Sequence, residues 1–142
     1  MSFGGIKRTP ADAAFSDCVR EAHDYTCQNC GINLRHNPRA MHLSHFYGRR
    51  SKSTRWAKEN GFCLCAGCHN WMGEHPHEHS QWVQDQLGDG LFEILTVKAR
   101  EIFKYNKEID KEVARHYRKQ LKEMQELRRG GVAGVLFFES YQ

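Results

Sequence analysis

The chain carries two Cys-x-x-Cys pairs, Cys27-Gln-Asn-Cys30 and Cys65-Ala-Gly-Cys68, separated by 34 residues. No other feature restricts the fold as strongly. A two-residue gap lets both thiolates of one turn face a single ion. Two such turns supply the four soft ligands of a tetrahedral structural zinc site. Gly31 gives the chain freedom to turn just after the first pair. In a small domain with a thin core, the energy of binding such a metal is folding energy. Redox CxxC motifs usually come singly and near a βαβ unit, which this pattern lacks. Cys18 and Cys63 are left over. Cys18 lies on the apolar face of a predicted helix and reads as a small buried hydrophobe. Cys63 competes with Cys65 as a ligand, but Cys65 keeps the two-residue gap to Cys68.

The thiol count also bears on the compartment. The N-terminus, Met1-Ser2-Phe3-Gly4-Gly5, has no apolar signal core, and no apolar run approaches the length of a bilayer span. The expectation is therefore a cytoplasmic protein with no membrane partner, where close thiols serve metals more often than disulfides.

The net charge of +4 is unevenly distributed. From Tyr25 to Lys58 there is no Asp or Glu, while Arg35, Arg39, Arg49, Arg50, Lys52, Arg55 and Lys58 supply seven positive charges. The other residues carry 14 basic against 17 acidic side chains. A basic block on a slightly acidic chain suggests an anionic partner such as a nucleic-acid backbone, and the bland alternative is a solvated surface segment. Four thiolates on one zinc ion add a net −2 and lower the +4 total to about +2, so what counts for an anionic partner is the acid-free stretch rather than the total.

Periodicity and breakers divide the 142 residues into three regions. Residues 1–13 read as a flexible N-terminal arm. Residues 14–88 read as a metal-bearing core: a helix over 14–26 with Asp12 as its cap, and strands near 40–46 and 62–64. A helix from Cys65 to Met72, stopped by Gly73, and another from Pro76 to Leu87 complete it. Residues 89–142 read as a helical extension with helices over 91–105 and 106–129 and an apolar tail. The last helix has a narrow stripe of Ile109, Val113, Tyr117, Leu121, Met124 and Leu127, which either docks on the chain or pairs with a second copy in a homodimer. The fold class is α+β.

Between the cysteine pairs stand Leu43-Ser44-His45-Phe46, Gly48-Arg49-Arg50 and Asn60, and His69 directly follows Cys68. In this order and spacing, with Asn60 five residues before Cys65, the chain resembles the HNH, or ββα-metal, nucleases. The resemblance is closer to the phage recombination endonucleases of the Rap (NinG) type. There a Ser-His-Phe or Gly-His-Phe core precedes Gly-Arg-Arg and a Gly-Glu-Asn-Pro-like segment, and Gly73-Glu74-His75-Pro76 stands in that last position. The resemblance covers roughly residues 18–100. It implies a small zinc-knuckle ββα-metal core with a mostly helical C-terminal extension. The implied activity is metal-dependent hydrolysis of DNA phosphodiesters, on branched or recombination-intermediate DNA of a phage, in the host cytoplasm.

Carried onto this sequence, the resemblance makes His45 the general base that deprotonates the attacking water. Asn60 would fix the loop and orient His45, and His69 would bind a catalytic divalent metal, Mg²⁺ or Mn²⁺, distinct from the zinc. The chemistry agrees: a neutral imidazole suits the base, and a divalent cation suits the charge on the phosphate. The chain departs from the wider family at Ser44, where a metal-binding Asp is frequent. His42 faces the same side of an extended strand and is the replacement ligand, with His75 or water as alternatives. His75, His77 and His79 otherwise read as a polar helix start. Arg49, Arg50, Lys52, Arg55 and Lys58 are the expected phosphate contacts, and Trp56 either stacks on a base or packs on the domain. The alternative function is a non-catalytic zinc-knuckle module that binds nucleic acid.

Overall fold

The structure is a computed structural model in which residues 6–142 are described. Among these residues, five α-helices and one two-stranded antiparallel sheet make an α+β fold. The helices are α1 (Pro10–Ala22), α2 (Ala66–Glu74), α3 (Pro76–Leu87), α4 (Asp89–Lys98) and α5 (Lys107–Arg129). The strands are β1 (Met41–His45) and β2 (Gly61–Cys65), with Met41 opposite Cys65 and His45 opposite Gly61. No helix among the described residues is long and apolar enough to cross a membrane.

α1 begins four residues earlier than the sequence pattern suggests. The cap is Thr9 rather than Asp12, and Pro10 fills the first turn. Asp12 instead completes a capping box: its Oδ2 accepts the Thr9 N–H at 2.8 Å, while its own N–H reaches Thr9 Oγ1 at 3.4 Å. Residues 10–13 are thus helix rather than arm, and residues 1–5 lie outside the described part. The helix ends at Ala22 because Asp24 and Tyr25 turn left-handed, at φ 54° and 50°.

α2 runs through Gly73, which was expected to stop it, and breaks only at His75, whose backbone leaves the helical region just before Pro76. α4 ends at Lys98 rather than continuing to 105. Beyond it Phe103 and Tyr105 turn inward against Trp56, with ring centroids 6.2 and 5.7 Å away. Asn106 then caps α5 by accepting the Ile109 N–H at 2.8 Å.

α5 lies along α1. Cys18 Sγ donates to the Tyr117 carbonyl at 2.9 Å, the Ala11 N–H donates to Asp110 Oδ1 at 3.3 Å, and Phe15 meets Tyr117 at 5.0 Å. Val113, Tyr117 and Met124 are buried in this seam. The stripe offered for a second copy is therefore largely used inside the chain. The tail docks without forming a strand: the Leu136 N–H donates to the Ala22 carbonyl at 2.8 Å, and Phe138 enters the core. The expected C-terminal extension shares one hydrophobic core with α1 and the sheet. Gly61 is required where β2 crosses α1, since a Cβ there would stand 2.9 Å from the Phe15 ring.

Candidate metal centre and histidine cleft

The four cysteines of the two pairs converge. Their Sγ atoms lie within 4.8 Å of one another, and Cys30 and Cys65 approach to 3.8 Å. Bonds of about 2.3 Å to a tetrahedral zinc set sulfur–sulfur edges of about 3.8 Å. The cluster therefore has the ligands and the dimensions for a metal ion such as zinc. Each pair forms the same tight turn: the Cys30 N–H points at Cys27 Sγ and the Cys68 N–H at Cys65 Sγ, each at 3.5 Å. Asn29 adds a side-chain donor to Cys68 Sγ at 3.3 Å. Burial alone would raise the Cys27 thiol, but backbone N–H groups of Cys30, Cys65 and Asn29 outweigh it and bring it down to about 7. That favours the thiolate a metal needs.

Gln28 locks the first turn to the sheet. Its N–H donates to the Cys63 carbonyl at 2.8 Å, and its Oε1 accepts the Cys63 N–H at 2.7 Å. Cys63 itself is fully buried, and burial pushes its thiol up to about 12. Cys18 is likewise buried and pushed up to about 12, chiefly by burial. Neither is a ligand.

A second site lies where β1 meets α2. His42 on β1 and His69 on α2 face each other with their Nδ1 atoms 3.0 Å apart. Two nitrogens sharing one ion through bonds of about 2.1 Å at right angles stand about 3.0 Å apart. The same spacing is that of an N–H···N hydrogen bond between the two rings. Burial, with His42 and His79 adding to it, lowers the pKa of His69 and so favours the neutral ligand form. Ser44, where an acidic ligand was sought, is buried.

His45 lines the same cleft, a cavity of about 250 Å³ that also includes Arg8, Arg20 and Arg49. Its Nε2 stands 3.2 Å from the Arg55 carbonyl. A carbonyl only accepts, so Nε2 carries the proton and Nδ1 keeps its lone pair. Burial, assisted by Arg49 and Arg55, lowers its pKa to about 4 and keeps the ring neutral. Asn60 is fully buried and holds the loop that supplies this carbonyl. Its Oδ1 accepts the Tyr47 N–H at 2.8 Å, and its Nδ2 donates to the carbonyls of Tyr47 at 2.8 Å and Thr54 at 3.0 Å. Thr54 precedes Arg55, so Asn60 positions His45 through the backbone.

The five expected phosphate contacts separate. Arg50 and Lys52 are exposed and Arg49 forms part of the cleft wall. Arg55 is only 1% exposed and cannot meet a phosphate. Its guanidinium forks onto Asp12, Nε to Oδ1 at 2.9 Å and Nη2 to Oδ2 at 2.6 Å. Trp56, at 0% exposure, cannot stack on a base and donates its indole N–H to Asp12 at 3.0 Å. Lys58 is half-buried and serves the tail, donating to the Phe138 carbonyl at 2.9 Å. His75 is occupied with Trp71, its Nδ1 lying 2.7 Å from that carbonyl. It is not part of the His42–His69 pair.

Two cleft residues escaped the sequence reading. Arg8 and Arg20 lie outside the acid-free stretch, and Arg8 comes from the segment expected to be a loose arm. That segment is tied down by the basic loop: Arg49 Nη1 donates to the Ile6 carbonyl at 3.4 Å and Arg55 Nη2 to the Lys7 carbonyl at 3.2 Å. Arg8 is exposed and has no ion pair among the described residues. The signal that could have found it is the capping box at Thr9–Asp12, which places residue 8 at the mouth of a helix.

Comparison of the chain with models of known protein families, with curated proteins and with solved structures returned no match.

Proposed function

We propose that this protein is a metal-dependent DNA endonuclease of the HNH, or ββα-metal, class, built around a structural zinc. The observation that carries the reading is the histidine cleft. Two imidazole nitrogens converge at 3.0 Å, and a third histidine beside them is fixed as the Nε2–H tautomer by a backbone carbonyl. A non-catalytic zinc module has no need of a neutral histidine held in one tautomer beside a pair of ligands.

His42 and His69 would hold the divalent cation, which supplies charge neutralisation at the phosphate. His45 accepts the proton of the attacking water at Nδ1, while Nε2–H stays on the Arg55 carbonyl and keeps the ring oriented. Asn60 keeps that carbonyl in place. Arg8 and Arg49 hold the phosphodiester by charge, and Arg50 and Lys52 track the backbone beyond it. The one carboxylate lining the cleft, Asp12, is taken by Arg55 and the Trp56 indole. A donor set of imidazoles without a free carboxylate suits Mn²⁺ better than Mg²⁺. A preference for branched DNA follows from the Rap-type resemblance alone.

The test is cleavage of a panel of linear, looped and four-way DNA with Mn²⁺ or Mg²⁺ varied. Strand scission dependent on the added divalent ion is the expected result, with Mn²⁺ the better activator. Binding to every substrate without scission in any divalent ion would instead identify a zinc-knuckle binding module.

A further inference from the structure

The side of α2 turned away from His69 holds a second concavity, unrelated to the cleft. Positions 69 and 71 are two apart and so point to different sides of one helix. A groove of about 660 Å³ is walled there by Trp71, Met72 and Trp82, with Glu78, Asp85 and the ligand Cys68 also lining it.

The two indoles are fixed rather than free. Trp71 is 45% exposed. It lies flat on the His75 ring, centroids 3.9 Å apart and planes 10° from parallel, and the His75 contact to the Trp71 carbonyl ties the pair to the end of α2. Trp82 meets Phe62 at 5.3 Å and 71°, so its ring is anchored to the core side of β2. Two indoles held in place at a solvent-facing groove lose little freedom when something docks on them.

The charge of the surroundings selects what that something is. From Glu59 to Val97 the sequence has six acidic residues and no Lys or Arg. Glu78 has no ion pair or hydrogen bond among the described residues, and Asp85 meets only the neutral Gln81 amide, at 3.0 Å. A nucleic-acid backbone is repelled by this surface. A purely apolar partner would desolvate the carboxylates without return. A cation gains twice, from the faces of the indoles and from the carboxylates beside them.

We propose that this groove docks a segment of a partner protein bearing Arg or Lys, with a guanidinium or ammonium group over Trp71 and paired with Glu78 and Asp85. The surface stands independently of the nuclease reading. Because the groove lies away from His69, DNA and this partner bind at the same time.

The experiment is calorimetric titration of the zinc-loaded full chain with a blocked hexa-arginine peptide, a blocked hexaglutamate peptide and a short single-stranded oligonucleotide. Hexa-arginine is expected to bind saturably, and hexaglutamate not at all. Trp71→Ala should weaken hexa-arginine by about tenfold, with partial recovery in Trp71→Phe, since diffuse attraction to acids ignores the ring. Glu78→Gln with Asp85→Asn should weaken it by a similar factor, about tenfold. Trp71→Ala should leave oligonucleotide affinity and cleavage unchanged, which separates this surface from the cleft. Hexa-arginine affinity within about twofold of wild type in Trp71→Ala would overturn the proposal. So would a Trp71→Ala loss of oligonucleotide affinity with hexa-arginine unaffected, which would assign the groove to nucleic acid.

Discussion

The cysteine cluster and the histidine cleft both gather side chains of metal-ligating types, yet they are built in opposite ways. The cluster closes on itself. Four thiols, two from a turn and two from the start of α2, gather within 4.8 Å of one another, and backbone N–H groups and Asn29 orient the sulfurs. The cleft stays open. It offers two imidazoles and a third histidine whose partner is a carbonyl, and cations line its walls. A closed four-ligand site holds a fold together, whereas an open one leaves coordination positions for water and substrate. On the proposed function this difference separates stability from chemistry, and variants should respect it.

The largest expected effect is on the closed site. Cys65→Ser should abolish zinc content and the cooperative melting transition, because structural zinc contributes on the order of 10 kcal/mol in small domains. His42→Ala and His69→Ala should keep one zinc per chain and a near-normal melt. Metal analysis with calorimetry reads both, and loss of zinc in the histidine variants would erase the distinction between the sites.

Breaking the buried Arg55–Asp12 pair comes next. Arg55→Ala strands a carboxylate that is only 2% exposed and should cost about 3–5 kcal/mol in denaturant unfolding. The same pair gives a pH signature. Burial alone would raise the Asp12 pKa, but the Arg55 and Thr9 contacts outweigh it and the net value is lowered. Its stabilisation is therefore complete above the ordinary carboxylate range and is lost as pH falls through the lowered value. Arg50→Ala, on the exposed part of the same loop, should weaken DNA binding.

A smaller effect belongs to Arg8. Arg8→Ala should weaken DNA affinity several-fold and flatten the plot of log affinity against log salt by about 0.9, the share of one phosphate contact. Arg8→Lys should restore the slope. A slope identical to wild type in Arg8→Ala would remove the segment before α1 from the proposed substrate site.

The subtlest prediction concerns acid. With its pKa lowered to about 4, His45 stays neutral across the mildly acidic range. The acid limb of cleavage should then reflect protons competing with the proposed cation at His69, whose pKa burial lowers. Raising Mn²⁺ should move that limb to lower pH. A limb indifferent to Mn²⁺ would belong to the base itself.

Legibility followed the same division. The cysteine site could be read completely, because CxxC spacing is a local geometric constraint, and the two strands and α3 sat within a residue or two of their periodic signals. His42, His45 and His69 line one cleft because short elements of fixed register carry them, while Asn60 sits behind it on the Tyr47–Thr54 loop. What sequence could not convey was direction. Arg55 and Trp56 lie in the same basic run as Arg50, but only folding reveals that Asp12 of α1 draws them inward. Arg8 entered the cleft because two arginines of the loop bind the strand of backbone before α1. The α5 stripe was correctly apolar, but periodicity does not say whether its partner is α1 or another chain.

The central claim is that His45 is a base in a working cleft rather than a buried structural histidine. It is tested most directly by single-turnover cleavage in Mn²⁺ at saturating enzyme, comparing wild type with His45→Ala after both are shown to hold zinc and bind the same DNA. Cleavage slower by about 10²–10⁴-fold, with affinity preserved, is the predicted result. Equal cleavage rates in the two proteins would contradict it.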